Sequence, residues 1–211
     1  MKYKVCVVDV ESGGLDSEIN SILSLGAVIL DNGVISDNFS VLINEGVSLN
    51  VQAAALKVNG LTREKIEEEG VSPPEATNLF VTFLMKHFLP LSNVLLVGHN
   101  LAFDIGFIQR LFRLAEKPSL FKKIFSYKTI DTMMLMQIMR FADRTTAKSV
   151  SLNDSCAAYS ITIRFEERHD AAEDAKATAT LLVRILEEIR TGSSQEKKEE
   201  TTEYRPAINI N

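Results

Sequence analysis

Four carboxylates and one histidine in this 211-residue chain have the types and spacing to do chemistry. Asp9 and Glu11 share one face at the end of an apolar run, Val5 to Val10. Asp104 falls in the first turn of a helix that follows a second apolar run, Val94 to Val97. Asp174 lies on a helical stripe with Thr178, Leu181, Ile185 and Ile189. Two anions side by side on a half-buried strand raise each other's pKa unless a cation is present. A carboxylate on a core-facing stripe needs a hydrogen bond, a cation or a metal. Four such oxygen donors at the ends of elements stabilise a core poorly, but they suit two hard divalent cations, Mg²⁺ or Mn²⁺. A pair of these ions roughly 3.5–4 Å apart can clamp the attacking and leaving oxygens of a phosphoryl displacement. His169, in the loop before the last helix, is placed in the sequence to take a proton from the attacking water. No cluster of Cys and His has the ligand spacing of a zinc site.

The elements that must carry these groups follow from periodicity. Lys2 to Val10 alternates as a strand, with Val5, Val7, Asp9 and Glu11 on one face and Cys6, Val8 and Val10 on the other. The loop Ser12-Gly13-Gly14 can bring its backbone close to a ligand. Ile22 to Leu30 is a second strand, Asp31-Asn32-Gly33 a hairpin turn, and Val34 to Ile43 the returning strand. Asn50 to Val58 and Thr62 to Glu69 read as short helices around Asn59-Gly60. Pro73-Pro74 opens a longer helix whose apolar face is Leu79, Phe80, Phe83, Leu84 and Phe88, with His87 as a helix-end or surface residue.

Val94 to Val97 then leads through Gly98, His99 and Asn100 into a helix bearing Ile105, Ile108, Leu111 and Phe112. Taken alone, His99 and Asn100 there could simply satisfy a turn, and Asp104 could favour the positive end of the helix dipole. Beyond Pro118 a short segment reaches Tyr127. Thr129 to Phe141 reads as a methionine-rich helix capped by Asp131, its methionines filling the core. Ala142 to Val150 is a loop, and Ser151 with Asp154 forms a capping box that opens a helix through Tyr159. The class is α/β: three antiparallel strands, then strand–helix units.

Hydrophobic residues make up 45% and charged residues 24%, as in a soluble globular domain. Only two cysteines, Cys6 and Cys156, point to a reduced, cytoplasmic setting rather than a disulfide framework. The apolar start is too short for a signal peptide, and no run approaches a membrane helix, so no membrane partner is expected. The net charge is −5, unevenly spread. From Lys117 to Lys148 seven basic residues face two acids, a local balance of +5. Such a segment either tracks a phosphate backbone or is a solvated face. The chain divides into a domain over residues 1–190 and a charged, flexible tail over 191–211, a candidate docking peptide.

In order, the chain carries Asp9-Val10-Glu11-Ser12-Gly13-Gly14-Leu15, then His99-Asn100 with Phe103-Asp104, then His169 with Asp174. This set resembles the DEDDh 3′–5′ exonucleases, the DnaQ-like family that includes the proofreading epsilon subunit of bacterial DNA polymerase III. The resemblance runs from about Lys2 to Ile189. It implies a ribonuclease H-like fold, a central mixed five-stranded sheet flanked by helices. It also implies that Asp9, Glu11, Asp104 and Asp174 are metal ligands and His169 the general base. Ser12, Gly13, Gly14 and Leu15 would line the pocket for the 3′-terminal nucleotide, with His99, Asn100 and Phe103 near it. Two positions depart from the pattern: Ser12-Gly13 stands for two threonines, and Asn59 for a histidine that contacts the substrate end. These departures bear on substrate choice. The implied partners are single-stranded DNA or RNA 3′ ends, and a DNA polymerase subunit if the setting is proofreading in replication rather than stand-alone repair or RNA processing. The competing reading of another class is a non-catalytic module that binds nucleic-acid ends or a polymerase.

Overall fold

A computed structural model describes residues 3–162 and 170–195. Strand β1 (Lys4–Ser12) pairs antiparallel with β2 (Ile22–Asp31), Asp9 lying opposite Gly26. Asn32 and Gly33, both at positive φ (53° and 90°), make the two-residue turn into β3 (Val34–Leu42), as their identities predict. Three helices follow: α1 (Ala53–Asn59), α2 (Arg63–Glu69) and α3 (Pro73–His87). The Ser72 hydroxyl caps α3, and His87 at its end pairs with Asp37 of β3 at 2.8 Å.

Strand β4 (Val94–Gly98) then joins the other side of β1 in parallel, with Val7 opposite Val97. After α4 (Leu101–Leu114) and α5 (Pro118–Ile124), β5 (Phe125–Asp131) pairs in parallel with β4. Helices α6 (Thr132–Phe141), α7 (Leu152–Ala158) and α8 (Ala171–Gln195) complete the described chain. The sheet order is β3-β2-β1-β4-β5, a mixed five-stranded sheet.

One predicted boundary is wrong. Thr129 to Asp131 belong to β5, and the methionine-rich helix starts at Thr132. Strand β5 is an outer strand with an exposed middle, so it lacks the apolar run that marks a buried strand. The helix beyond Arg190 also continues to Gln195, and the rest of the expected tail lies outside the described residues.

The alternation of β1 sorts its side chains onto two cores. Cys6, Val8 and Val10 pack with Phe80 and Leu84 of α3 and Phe107 and Leu111 of α4. Val5 and Val7 meet Ala175, Ala179 and Leu182 of α8 on the other face. Alanines at two successive turns let α8 lie close to the sheet. Met136 and Met139 fill a third cluster with Cys156, Leu181 and Ile185, while Met134, Ile138 and Phe141 of the same helix face outward. Among the described residues no helix is long and apolar enough to cross a membrane.

Candidate active site

Strands β1, β4 and β5 run in parallel, so their C-terminal ends meet at one edge of the sheet, where α/β folds build sites. Asp9 and Glu11 stand at that end of β1, on the face turned toward α8. What brings α8 to them is a glycine. A Cβ on Gly26, directly opposite Asp9, would lie 2.1 Å from the Ala171 carbonyl carbon and 2.3 Å from the Ala172 nitrogen. With no side chain there, the first turn of α8 rests on the sheet and sets Asp174 beside Asp9 and Glu11. Asp170 caps that turn, accepting from Ala172 N–H at 2.9 Å and Glu173 N–H at 3.3 Å.

Asp104 arrives from α4. The ladder between β1 and β4 ends near Val7 and Val97, which leaves the Val10 N–H without a strand partner on that side. Asp104 Oδ1 accepts it at 3.1 Å, in a position only 3% exposed. The start of α4 is held by Asp131 at the end of β5, whose carboxylate accepts from Asn100 N–H (3.0 Å) and Leu101 N–H (2.9 Å) as well as from Met133 N–H of its own helix (2.9 Å). Asp131 was read as the cap of one helix; it caps two, because Asp131 pairs with Gly98 across the sheet.

One carboxylate oxygen from each of Asp9, Glu11 and Asp174 lies within 4.8 Å of the others. Burial pushes Asp9 well above the usual carboxylate range, and the negative charges of Asp104, Asp174, Glu11 and Asp170 push the same way. Burial, then Asp174, Asp170 and Asp104, push Glu11 up to about 8. Burial also raises Asp104, against the pull of the Val10 N–H. An all-oxygen donor set of mutually repelling, partly buried carboxylates fits a hard divalent cation. His169, the expected general base, lies outside the described residues.

Beside Glu11 opens a pocket of about 360 Å³ lined by Ser12, Gly14, Leu15, Val58, Asn59 and Phe103, among others. Leu15 is 87% exposed at its rim. Gly13, His99 and Asn100 do not line this pocket. Gly13 donates its N–H to Ser21 O at 2.7 Å and accepts from Gln52 N–H at 2.8 Å. A Cβ there would meet Asn50 O at 2.4 Å. Asn59 is nearly buried; its Nδ2 donates to Ser12 O at 3.2 Å and its Oδ1 accepts from Leu61 N–H at 3.3 Å. The two departures from the family pattern are therefore in contact with each other. His99 Nε2 donates to Val150 O at 2.8 Å, and its Nδ1 lies 2.9 Å from the Thr132 hydroxyl, so both ring nitrogens are engaged within the fold. Asn100 is exposed, in the left-handed region at φ 67°, where it turns the chain into α4.

Sequence reading passed over Gly26 and Asp170. A lone glycine inside an apolar strand signals close approach of another backbone, which was the available clue to Gly26. Asp170 carried the signal of an N-cap residue ahead of a helix.

Residues 6–182 match the family model described as "Exonuclease". A PolC-type DNA polymerase III of Listeria welshimeri is 30% identical over 186 residues, which are 88% of this chain and 11% of that protein. The 3′–5′ exonuclease DinG of Bacillus subtilis is 28% identical over 193 residues, 90% of this chain and 18% of that protein. The chain thus spans under a fifth of either relative's length. Escherichia coli Exonuclease I, solved with a dT13 oligonucleotide, matches at TM-score 0.73 and 17% identity over 92% of this chain and 43% of that one, a likeness of fold. The chain belongs to the exonuclease family.

Proposed function

We propose that this domain hydrolyses phosphodiester bonds from the 3′ end of single-stranded nucleic acid, DNA in preference to RNA, and releases nucleoside 5′-monophosphates. The observation that carries the reading is the set of Asp9, Glu11 and Asp174, three carboxylates gathered within 4.8 Å, with Asp9 and Glu11 raised in pKa, beside an open, largely apolar pocket. Asp9, Glu11, Asp104 and Asp174 would hold two divalent cations, Mg²⁺ or Mn²⁺. Bound there, the ions would neutralise charge on the scissile phosphate and make water a better nucleophile.

The chain's own groups do the rest. Leu15 and Phe103, on the walls of the pocket, hold the terminal base by apolar contact. Asn59 and Gly13 keep the Ser12–Leu15 loop in shape through their hydrogen bonds. His169 takes a proton from the attacking water; the new P–O bond forms as the bond to the 3′ oxygen of the preceding nucleotide breaks. That oxygen leaves with a proton from solvent, as the new 3′ hydroxyl. The preference for DNA is supported by the oligonucleotide in the Exonuclease I structure and by the polymerase relative. The same relative supports a proofreading role beside a polymerase.

The test is degradation of a 5′-labelled single-stranded DNA and a matched RNA with Mg²⁺, with Mn²⁺ and with chelator. Stepwise shortening that stops with chelator is the expected result, with DNA the faster substrate. Folded protein that binds ends but shortens neither strand at any metal concentration would make the domain a binding module instead.

A further inference from the structure

The basic stretch from Lys117 to Lys148 is not used by the acidic site, and the fold concentrates part of it on one edge. Among the described residues strand β5 closes the sheet, so its outer side carries backbone donors and acceptors with no described strand beyond them. Tyr127, in its middle, is 90% exposed. Lys128 Nζ lies 5.8 Å from the centre of that ring. Lys122 and Lys123, on the last turn of α5, are exposed as well. Among the described residues none of these three lysines is in an ion pair. The acids nearest in sequence are Glu116, beyond α4, and Asp131, whose carboxylate is committed to two helix starts.

Between this edge and α4 runs a groove of about 380 Å³, lined by Ile105, Gln109, Phe121, Lys122, Tyr127 and Thr129 with neighbouring residues. Its walls belong to two elements that also reach the active-site end of the sheet. Ile105 follows Asp104 on α4, and Thr129 lies two residues before Asp131 on β5. Lysine on an edge strand discourages sheet-to-sheet pairing, which accounts for Lys128. It does not account for an aromatic ring held in water, a second lysine on another element, or the groove that Lys122 and Tyr127 line together. Unpaired cations around an exposed ring are the chemistry of single-strand binding: lysines meet phosphates, and a base stacks on the aromatic face.

We propose that the groove between α4, α5 and β5 holds the single strand upstream of its 3′ end, with Tyr127 stacking a base and Lys122 and Lys128 contacting phosphates. The assignment rests on the nuclease reading for what occupies the neighbouring site. It makes strand length a determinant of affinity: short oligonucleotides reach the acidic site alone, and longer ones also reach the edge.

Binding and turnover separate the two assignments. Binding is measured by fluorescence anisotropy in chelator, with labelled oligothymidylates of about 3 and about 15 nucleotides, lengths that bracket the usual span of a strand-binding site. The proteins are the full chain and its Tyr127→Ala and Lys122→Gln/Lys128→Gln variants, all altered at exposed positions. Tyr127→Ala should weaken the long strand about tenfold and leave the short one unchanged. The double variant should lower the slope of log affinity against log salt by about 1.4. With Mg²⁺ added, KM for the long strand should rise at constant kcat. Equal affinity of wild type and variants for the long strand would overturn the proposal, and would point to a polypeptide on this edge. Equal weakening of both lengths would overturn it too. If no protein shows turnover, the nuclease reading fails while the binding comparison still decides the edge.

Discussion

Two carboxylate settings in this molecule are opposites. Glu45, with a side chain 1% exposed, is surrounded by donors. Arg110 on α4 grips it through Nε at 2.9 Å and Nη2 at 2.7 Å, the Ser21 hydroxyl donates at 2.9 Å, and the Ile22 N–H at 3.1 Å. The same guanidinium also donates to Ser17 O and Glu18 O. That carboxylate ties the start of β2, the loop after β1 and α4 into one unit. Around Asp9 and Glu11 the fold places further carboxylates instead, and among the described residues neither is paired with a Lys or Arg. A charge that serves the fold has its partners built in. A charge that serves function is left to be completed from outside, at a cost in stability until that happens.

The largest effect expected is on catalysis. Asp9→Ala should lower kcat on the order of 10³-fold or more, since ligand loss forfeits several kcal/mol of transition-state stabilisation. Its melting temperature in chelator should be no lower than wild type, because one repelling charge is gone; circular dichroism and a nuclease assay check both halves. An Asp9→Ala protein with wild-type turnover would remove the acidic site from the mechanism.

Arg110→Met should do the reverse. It strands the buried Glu45 and should cost about 3–5 kcal/mol in denaturant unfolding. Activity per folded molecule should stay within a fewfold; full loss of turnover in folded protein would mean the two settings are coupled. Between these extremes lies Gly26→Ala. The added Cβ meets the Ala171–Ala172 backbone, so unfolding free energy should fall by about 1–3 kcal/mol, and Mg²⁺ affinity by calorimetry should fall with it. A variant that binds Mg²⁺ as wild type would show that α8 does not depend on that gap.

The last effect is on pH dependence, where no side chain is changed. Glu11 is raised to about 8 when folded and is near 4.5 when unfolded, and Asp9 is raised as well. Between those values the folded state holds more protons than the unfolded one, so in chelator stability should fall as pH rises across that window. Melting temperature should therefore fall from about pH 5 to about pH 8. Saturating Mg²⁺ should flatten that fall. For a carboxylate like Glu45, ringed by donors, no such response to Mg²⁺ is expected. A metal-free stability that rises with pH would contradict the repulsion between the acids.

The types and order of the site residues were legible along the chain. Alternation in β1 put Asp9 and Glu11 on the face of Val5 and Val7, and the helical stripe put Asp174 on the side of α8 that meets the sheet. Local rules also reached the Asn32-Gly33 turn, the helix start at Pro73-Pro74 and the Ser151 cap, because these depend on neighbours within a few residues. Strand β5 was missed because a half-exposed outer strand is defined by its pairing with β4 rather than by its own pattern.

The amino-acid sequence by itself determined which groups can do chemistry and which faces they occupy, since side-chain type and backbone period are local properties. Only the tertiary structure decided their distances and company. It set α8 on Gly26, gave the free Val10 N–H to Asp104, and sent Arg110 to Glu45 rather than to Asp9. Those outcomes depend on contacts between residues far apart in the chain, where packing and hydrogen-bond satisfaction choose among partners that local pattern leaves equal.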